Sequence, residues 1–333
     1  MERRQFLNWL TALTAGILVS GYTQESSAAI LRDRLGETLP KRRLGRTNEA
    51  VTMLGLGGWH IGDISSDRDA QKTIEAALEG GVRFFDTAES YQAGGSESRL
   101  GRLLTPQYRD VVYLMTKTLA RDADSAKRHL EGSLRRLQTD YIDLWQVHSL
   151  INPQDVDNRI ENGVLEVMME AQASGKVRHL GFTGHNWPHA HQRILEQSDI
   201  FDTCQMPINL TDPSYGSFIK SVLPTLVERN IGVLAMKTLG NSTFFGGSKH
   251  VSYGSSPVIV PNQVSLAQAL HFVWSLPVSV LITGAENPAQ IKEKITLAQS
   301  FVAMDESQSY ALVEKVADVA GYLAEPYKKS EMI

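Results

Sequence analysis

Eight short apolar runs alternate with helical patterns along this chain of 333 residues. Successive runs are about 30 residues apart, which is typical of βαβ units built on a parallel sheet. A count of eight favours a closed barrel over an open, doubly wound sheet. The sequence therefore predicts an α/β fold, specifically a (β/α)8 TIM barrel. The runs cover residues 51–56, 82–85, 111–117, 141–147, 177–182, 201–206, 231–236 and 278–282.

Each apolar run is followed by a segment with helical periodicity. Within 124–137, for example, Leu130, Leu134 and Leu137 are spaced to share one helix face. Asp67 and Ser96 are candidate caps for the first two helices. The helical segments cover 67–79, a stretch starting near 96, 124–137, 160–174, 188–197, 216–229, 265–276 and 288–301, with a last one at 306–323.

The first strand is followed by a glycine-rich stretch, residues 57–62, which we interpret as a loop. A dinucleotide-binding sheet would carry the full G-x-G-x-x-G pattern here, with an acidic residue further on for the ribose. Gly55-Leu56-Gly57-Gly58 lacks that pattern. One barrel, at 51–301, is therefore expected, between an N-terminal link at 30–50 and a C-terminal helix and tail at 302–333.

The first 29 residues have the pattern of a secretory signal peptide. Arg3 and Arg4 precede an uncharged run at 9–22, and small residues suitable for cleavage follow at 26–29. Paired arginines before Phe-Leu resemble the twin-arginine type, which exports folded proteins. This predicts the export machinery as a partner, a periplasmic mature protein starting near Ile30, and no stable membrane span in it. The alternatives are an uncleaved, membrane-anchoring N-terminus and, if the segment is not a signal, a cytoplasmic protein.

Charge and cysteine content exclude several classes of function. The chain has 33 basic and 37 acidic residues, for a net charge of −4, so it offers no basic field for nucleic acid. Cys204 is its single cysteine. An internal disulfide and a cysteine-based metal cluster are therefore excluded, and no metal site is expected.

Four polar residues fall at or beyond the carboxyl ends of neighbouring predicted strands. Asp86 ends the second strand, Tyr91 lies in the loop above it, Lys117 ends the third strand, and His148 follows the fourth. Chemistry in such barrels sits at the carboxyl ends of the strands, and adjacent strands are only about 4.8 Å apart. The four side chains are therefore expected to converge on one site.

These residues resemble the catalytic tetrad of the aldo-keto reductases. Asp86-Thr87-Ala88 followed by Tyr91, the lysine of Met115-Thr116-Lys117 and the histidine that ends residues 143–148 match the family's motifs in order. The resemblance covers about residues 43–300. It implies reduction of an aldehyde or ketone to an alcohol, or the reverse, with hydride from NADH or NADPH and a small carbonyl compound as substrate.

The residue types suit that chemistry. A free tyrosine has a pKa near about 10, so Tyr91 would hold its proton at neutral pH. The charge of Lys117 would favour the phenolate and ease proton donation, and Asp86 would keep Lys117 charged and oriented. The resemblance implies that His148 positions the carbonyl oxygen, and Trp59 is a candidate substrate contact beside it.

The same resemblance implies a set of cofactor contacts, some of which depart from the family's pattern. Gly284 and Gln290 stand where NADP-binding relatives place lysine and arginine, so little preference between NADPH and NADH is expected. Met236 replaces the usual stacking tyrosine. The nearest branch often has a C-terminal iron–sulfur cluster, whose cysteines are missing here, so none is expected. The implied cofactor contacts are Gly57, Gly58, Thr183, His185, Gln205, Met236, Lys237, Leu239, Gly240, Gly284, Gln290 and Glu293.

Two other functions fit the same fold. A non-catalytic barrel could bind a nucleotide as a sensor or accessory subunit, because a fold does not determine a function. Such a protein has no need of Tyr91, Lys117 and His148 together. A Schiff-base lyase would need Lys117 neutral, and the nearby Asp86 opposes that.

Overall fold

A computed structural model describes residues 31–245, 258–260 and 263–329. It contains a closed barrel of eight parallel strands, which confirms the predicted (β/α)8 fold. The last strand pairs with the first, with Ile282 opposite Gly55, and this pairing closes the barrel. The strands are β1 Leu54–Gly57, β2 Phe84–Asp86, β3 Tyr113–Thr118, β4 Ile142–Val147, β5 Val177–Thr183, β6 Thr203–Pro207, β7 Gly232–Met236 and β8 Val280–Thr283.

One principal helix follows each strand and packs on the outside of the barrel. These are α1 Asp67–Glu79, α2 Gly95–Leu103, α3 Ala123–Leu137, α4 Val164–Ala173, α5 Pro188–Gln197, α6 Leu223–Glu228, α7 Leu266–Trp274 and α8 Pro288–Gln299. Shorter helices occupy the connections at Gly58–Asp63, Thr105–Tyr108, Pro153–Glu161 and Phe218–Ser221, and a C-terminal helix spans Glu306–Lys315. The predicted signal peptide lies outside the described residues.

The first predicted strand was placed too early, because it merges two structural elements. Ala50–Thr52 pairs antiparallel with Lys41–Arg43, and the barrel strand β1 begins only at Leu54. The hairpin carries Leu44 and Val51 into the apolar interior of the barrel, where they join Phe84 and other strand residues. An apolar run therefore continues across both elements, and periodicity alone could not divide it.

Four predicted helical or loop segments also differ from the structure. The glycine-rich stretch is a short helix, Gly58–Asp63, and not a loop. The segment predicted at 160–174 is two helices, because Gly163 has a left-handed φ of +80° between them. The segment at 216–229 is also divided, and Pro224 lies in the first turn of α6. The last helix ends at Lys315, before the predicted 323.

Both predicted caps were wrong. Ser66 caps α1 by accepting a hydrogen bond from the backbone N–H of Asp69. Gly94 stands at the cap position of α2 without a side-chain bond, and Ser96 instead donates to the backbone oxygen of Gly58 at 2.8 Å. Ser96 therefore ties α2 to the end of β1, beside the carboxyl ends of the strands.

The barrel strands are buried on both faces, as expected for a parallel sheet covered by helices. Inside the barrel, Phe84, Met115 and Leu234 pack with the hairpin residues. A second, larger apolar layer lies between the strands and the helices, and it contains Cys204. In the part of the chain that the structure describes, no helix is long and apolar enough to cross a membrane.

Candidate active site

The barrel brings the predicted tetrad together at the carboxyl ends of β2, β3 and β4. Asp86 is the last residue of β2 and pairs with Met115 of β3. Lys117 lies one residue from the end of β3 and pairs with Gln146 of β4. His148 follows β4 directly, and its backbone N–H donates to the oxygen of Thr118 at 2.8 Å.

Lys117 is the centre of this group. Its side chain is only 1% exposed, and its ammonium donates to the carboxylate of Asp86, which is also buried. It also donates to the backbone oxygen of Thr87 at 2.7 Å and to the hydroxyl of Tyr91 at 3.2 Å. All three ammonium hydrogens therefore have partners, and one of them holds the phenol.

Burial and charge act against each other in this group. Burial lowers the pKa of Lys117, but Asp86 and Tyr91 outweigh it, so the net pKa lies above its ordinary value. Burial raises the pKa of Asp86, and the ammonium of Lys117 opposes that shift. The expectation for Tyr91 was only half right. Burial raises the pKa of Tyr91 above its ordinary value, although Lys117 acts to lower it.

His148 faces the phenol from the other side. Its ring centroid lies 5.8 Å from that of Tyr91, and Nδ1 is 3.4 Å from the hydroxyl of Ser90. Burial, with the charge of Lys117, holds the pKa of His148 well below its usual value. The imidazole is therefore neutral at physiological pH and can donate or accept one hydrogen bond at each nitrogen.

The turn that carries Tyr91 is held in an uncommon conformation. Gln92 and Ala93 have left-handed φ values of 48° and 51°, which are unfavourable for residues other than glycine. The side chain of Gln92 donates to the backbone oxygen of Trp59 at 3.2 Å. Such strain concentrates at functional sites. Sequence reasoning missed Ser90 and Gln92, because neither residue type signals such a turn.

The mouth beside the tetrad is apolar. Trp59, on the helix after β1, makes an edge-to-face contact with Tyr91 at 5.2 Å between ring centroids. Trp59, Leu119 and Ile151 are 38–39% exposed, although large apolar residues are usually buried. These three side chains follow β1, β3 and β4, so they flank the tetrad. We call them the apolar rim.

Two of the predicted cofactor residues lie side by side on β5 and β6. Thr183 ends β5 and pairs with Gln205 of β6. Gln205 Oε1 is buried and has no hydrogen-bond partner among the described residues, and the same is true of Nδ1 of His185, just beyond β5. Buried polar atoms are normally satisfied, so each orphan requires an explanation. A carboxamide group, which offers both N–H donors and a carbonyl acceptor, would satisfy both.

Four further predicted cofactor residues lie at and beyond the end of β7. Met236 is its last residue, and Lys237 follows with a left-handed φ of 57°. The ammonium of Lys237 donates to Asn241 at 2.8 Å, and burial lowers its pKa to about 8. Leu239 packs on the core, and Gly240, which begins a 3₁₀ turn, also has a positive φ. Lys237 is half-buried, and a lysine whose charge is disfavoured by burial is suited to an anionic ligand.

The glycines near β1 and β8 have steric roles. A Cβ on Gly58 would collide with the backbone of Asp86, and one on Gly284 would collide with the ring of His60. Gly57 pairs with Asp86 within the sheet. Position 284 therefore has no room for a side chain, which explains why no cation stands there.

The loop after β8 is held by hydrogen bonds within itself. The side chain of Gln290 accepts from the backbone N–H of Glu286 at 2.9 Å, so Gln290 turns inward. Lys294, which the sequence did not suggest, is buried and donates to the oxygen of Gly284 at 2.6 Å, and burial lowers its pKa to about 8. Glu293, a predicted adenine contact, lies next to it on α8.

An open groove of about 490 Å³ lies between this loop and the start of α1. His60, Lys72 and Glu286 contribute to its lining, and the tetrad does not. Within the described ranges, no group of three or more His, Cys, Asp or Glu side chains could hold a metal ion.

Comparison with known proteins agrees with this geometry. The sequence profile of the Aldo/keto reductase family matches residues 53–317. Aldo-keto reductase YhdN of Bacillus subtilis is 35% identical over 213 residues, which is 58% of this chain and 60% of that protein. The 6-dehydroglucose reductase of Novosphingobium aromaticivorans is 35% identical over 156 residues, which is 42% of this chain and 50% of that protein. The matched parts thus span less than two thirds of either relative.

A solved structure gives the same result for the fold. The holo form of aldo-keto reductase AKR11C1 from Bacillus halodurans superposes with a TM-score of 0.70 at 22% identity, covering 85% of this chain and 98% of that one. At that identity the likeness supports the barrel alone. The family profile, in contrast, matches well over half of the sequence, so this chain belongs to the Aldo/keto reductase family.

Proposed function

We propose that the protein is a nicotinamide-dependent carbonyl reductase that interconverts an aldehyde or ketone and its alcohol. The observation that supports this most directly is the hydrogen bond from Lys117 to Tyr91, in a buried group that also contains Asp86. A phenol held in this way beside a neutral His148 is suited to transferring a proton to a carbonyl oxygen.

Each residue has a distinct part in this proposal. Tyr91 holds the proton on its hydroxyl, because burial keeps the pKa of that phenol above its usual value. Lys117 orients the hydroxyl and stabilises the phenolate left after proton transfer. In the tautomer that has its proton on Nε2, Nδ1 of His148 accepts from the Ser90 hydroxyl, and Nε2 can donate to the carbonyl oxygen.

A nicotinamide nucleotide would supply the hydride, which no side chain can provide. Two buried atoms without hydrogen-bond partners among the described residues, Gln205 Oε1 and His185 Nδ1, fit the carboxamide group of a nicotinamide. Gln205 Oε1 can accept an amide hydrogen, and the partly polar end of β5 offers the Thr183 hydroxyl and His185. Lys237 would hold a phosphate, because its half-buried ammonium lies beyond β7 and burial lowers its pKa to about 8.

The apolar rim suggests the kind of substrate. Trp59, Leu119 and Ile151 remain partly exposed around the tetrad, so a carbonyl compound with an apolar body would bury area that is now open to water. A sugar aldehyde would leave its hydroxyls facing these side chains without partners. We therefore propose aryl or alkyl aldehydes before polyhydroxylated ones.

The test is to mix the purified protein with NADH or NADPH and a panel of aldehydes and ketones, following nicotinamide absorbance. Turnover with apolar aldehydes is expected, at higher kcat/KM than with sugar aldehydes. Tight nucleotide binding without turnover on any carbonyl or alcohol would instead favour the sensor or accessory subunit. Failure to bind either nucleotide would refute both.

A further inference from the structure

The C-terminal tail carries an ion cluster that is buried against the loop after β6. The side chains of Lys328, Asp212 and Glu325 are 0% exposed. Lys328 donates to Asp212 at 2.7 Å and lies 2.9 Å from Glu325. Charged side chains are almost never fully buried unless they are paired. The tail at 324–328, which we call the strap, is therefore firmly anchored on the barrel.

The strap is also tied to the loop after β6 through Asn209. The amide of Asn209 donates to Glu325 at 2.8 Å and to the hydroxyl of Tyr327 at 2.9 Å. The same amide lies 3.3 Å from the backbone oxygen of Lys237. One fully buried side chain thus connects the strap to the carboxyl end of β7.

Tyr327 brings the strap to the proposed cofactor residues. The ammonium of Lys237 lies 5.4 Å from the centroid of the Tyr327 ring, and the His185 ring lies 6.1 Å from it in an edge-to-face arrangement. The backbone of Tyr327 also lies close enough to the His185 imidazole to oppose the lowering of its pKa by burial. Nδ1 of His185 has no hydrogen-bond partner among the described residues.

A further contact joins the strap to the turn that begins at Gly240. The hydroxyl of Thr243 donates to the backbone oxygen of Ala324 at 2.5 Å. The strap therefore contacts the segments beyond β5, β6 and β7 at once. A tail that served only to cover the core would not need polar contacts with all three.

We propose that Tyr327 is a positioning residue for the cofactor site, which sets the orientation of the His185 ring and the hydration of Lys237. This inference rests on the proposed function, since both residues act on a nucleotide. The strap's buried ion cluster is its anchor. Tyr327 itself need not touch the reacting atoms.

The effect on Lys237 can be measured through pH. Burial lowers the pKa of this lysine to about 8, and the ring of Tyr327 is part of what excludes water from it. Other titratable groups nearby are His148, His185 and, in the tail, Glu325 and Lys329. The pKa values of both histidines lie well below 8, so neither titrates in the same range.

Nucleotide affinity should therefore fall as the pH rises through about 8 and Lys237 loses its charge. In Tyr327→Ala, water reaches Lys237 and its pKa moves back toward the ordinary value. The dissociation constant plotted against pH should begin to rise at a certain pH, which we call the break. In this variant the break should move upward by at least about one pH unit, and affinity at pH 7 should weaken about tenfold. Binding is measured by NADH fluorescence between pH 6.5 and 10.

Three further variants separate positioning from stability. Tyr327→Phe keeps the ring and the backbone contact with His185, so its break should stay near that of the wild type. Lys328→Met keeps the ring but loses the anchor, so its break should also move upward, which gives a second test if Tyr327→Ala does not fold. Leu312→Ala, on the C-terminal helix, should lower the melting temperature without moving the break.

The results distinguish this inference from the proposed function. A wild-type protein that binds neither nucleotide would refute the proposed function. The contrary result is that both Tyr327→Ala and Lys328→Met bind nucleotide with the wild-type break and with a dissociation constant within twofold of the wild-type value. That result would overturn the positioning role alone. In that case the strap would be structural.

Discussion

The ammonium of Lys117 donates a hydrogen bond to the phenolic oxygen of Tyr91 over 3.2 Å, at the carboxyl ends of adjacent strands. The two residues are 26 positions apart in the sequence, and the barrel brings them together. Because the same ammonium also binds Asp86 and the backbone of Thr87, it can move little. The phenol is therefore oriented before any substrate arrives, which reduces reorganisation during proton transfer.

Tyr91→Phe should nearly abolish carbonyl reduction. The variant keeps the ring contact with Trp59 but loses the proton donor, and a general acid contributes about 10²–10⁴ in rate. The dissociation constant of the nucleotide should stay within about twofold, which is less than 0.5 kcal/mol. Steady-state rates measure the loss of carbonyl reduction, and fluorescence titration measures the dissociation constant of the nucleotide. Retention of most of the turnover would remove Tyr91 from its assigned role.

The rate of reduction should be independent of pH between about 6 and 9. Burial raises the pKa of Tyr91 above its ordinary value near about 10, so the donor stays protonated throughout this range. His148 is held neutral, so it causes no change in the rate of reduction near its usual pKa of about 6.5. The reverse reaction, alcohol oxidation, needs the phenolate and should rise with pH. These profiles are to be recorded at saturating nucleotide, so that Lys237 does not contribute.

In Lys117→Met, the charge that opposes the rise in the pKa of Tyr91 is lost. At neutral pH, the rate of alcohol oxidation should therefore decrease by a larger factor than the rate of reduction. Both rates should decrease by about a hundredfold or more. The buried carboxylate of Asp86 would lose its partner, so the double variant with Asp86→Asn is a useful stability control. Unchanged oxidation in Lys117→Met would contradict the role given to the lysine.

Acid should destabilise the fold through His191. Burial lowers the pKa of this histidine to about 3, against an unfolded value near 6.5, so below pH 6.5 the unfolded state binds a proton that the folded state does not. Stability is therefore present above pH 6.5 and is lost on acidification, by about 1.4 kcal/mol per pH unit. His185, lowered to about 4, acts in the same direction.

His191→Leu should reduce the slope of the unfolding free energy against pH by the contribution of about one proton. The variant should fold, because His191 packs between Phe182 and Phe218, where an apolar side chain is accommodated. Urea unfolding between pH 4 and 7 measures it. Gln197→Ala, at an exposed position on the same helix, is the matched control and should leave the slope unchanged, because it changes no titratable group. Equal slopes in all three proteins would show that His191 does not remain neutral in the folded state.

Preference between NADPH and NADH should be less than about a hundredfold, or 2.7 kcal/mol. Gly284 cannot carry a side chain, and Gln290 is bonded back to Glu286, so neither presents a cation to a 2′-phosphate. Glu286→Lys should strengthen NADPH binding about tenfold and leave NADH binding within about threefold. Glu79→Lys, at the exposed end of α1, should change neither. A strong preference for NADPH in the wild type would point to another cation, such as Lys292.

We also propose that the protein is exported with its nucleotide bound, since a dilute compartment outside the cytoplasm cannot recharge an exchanging cofactor. Replacing Arg3 and Arg4 by lysine should keep the full-length chain in the cytoplasm. Material released by denaturing the exported protein should contain nicotinamide. Wild-type protein found only in the cytoplasm with residues 1–29 attached would contradict export, and an empty exported protein would contradict retention.

The sequence predicted the tetrad well because its members follow three consecutive strands. Strand ends can be read from apolar runs, and the barrel topology then places Asp86, Lys117 and His148 together. The helix boundaries were less accurate where a single residue, such as Gly163, interrupts a continuous pattern. The division between the hairpin and β1 was missed because both elements are apolar.

The strap could not be predicted for a different reason. Glu325, Tyr327 and Lys328 lie in a short polar stretch with no periodicity, and such a stretch ordinarily indicates an exposed tail. Their burial depends on Asn209 and Asp212, which are more than a hundred residues away. Only the closed barrel creates the surface that these side chains fill.

The position of the strap in the chain gives the protein an order of assembly. Asn209 and its partner Glu325 are separated by 116 residues, so Asn209 is synthesised well before the strap that it binds. All eight strands precede the strap, so a chain released early by the ribosome could complete its barrel and still lack Tyr327. The residues proposed to complete the nucleotide site are thus added after the barrel strands, and a chain cut just before the strap should fold as a barrel but bind the nucleotide poorly.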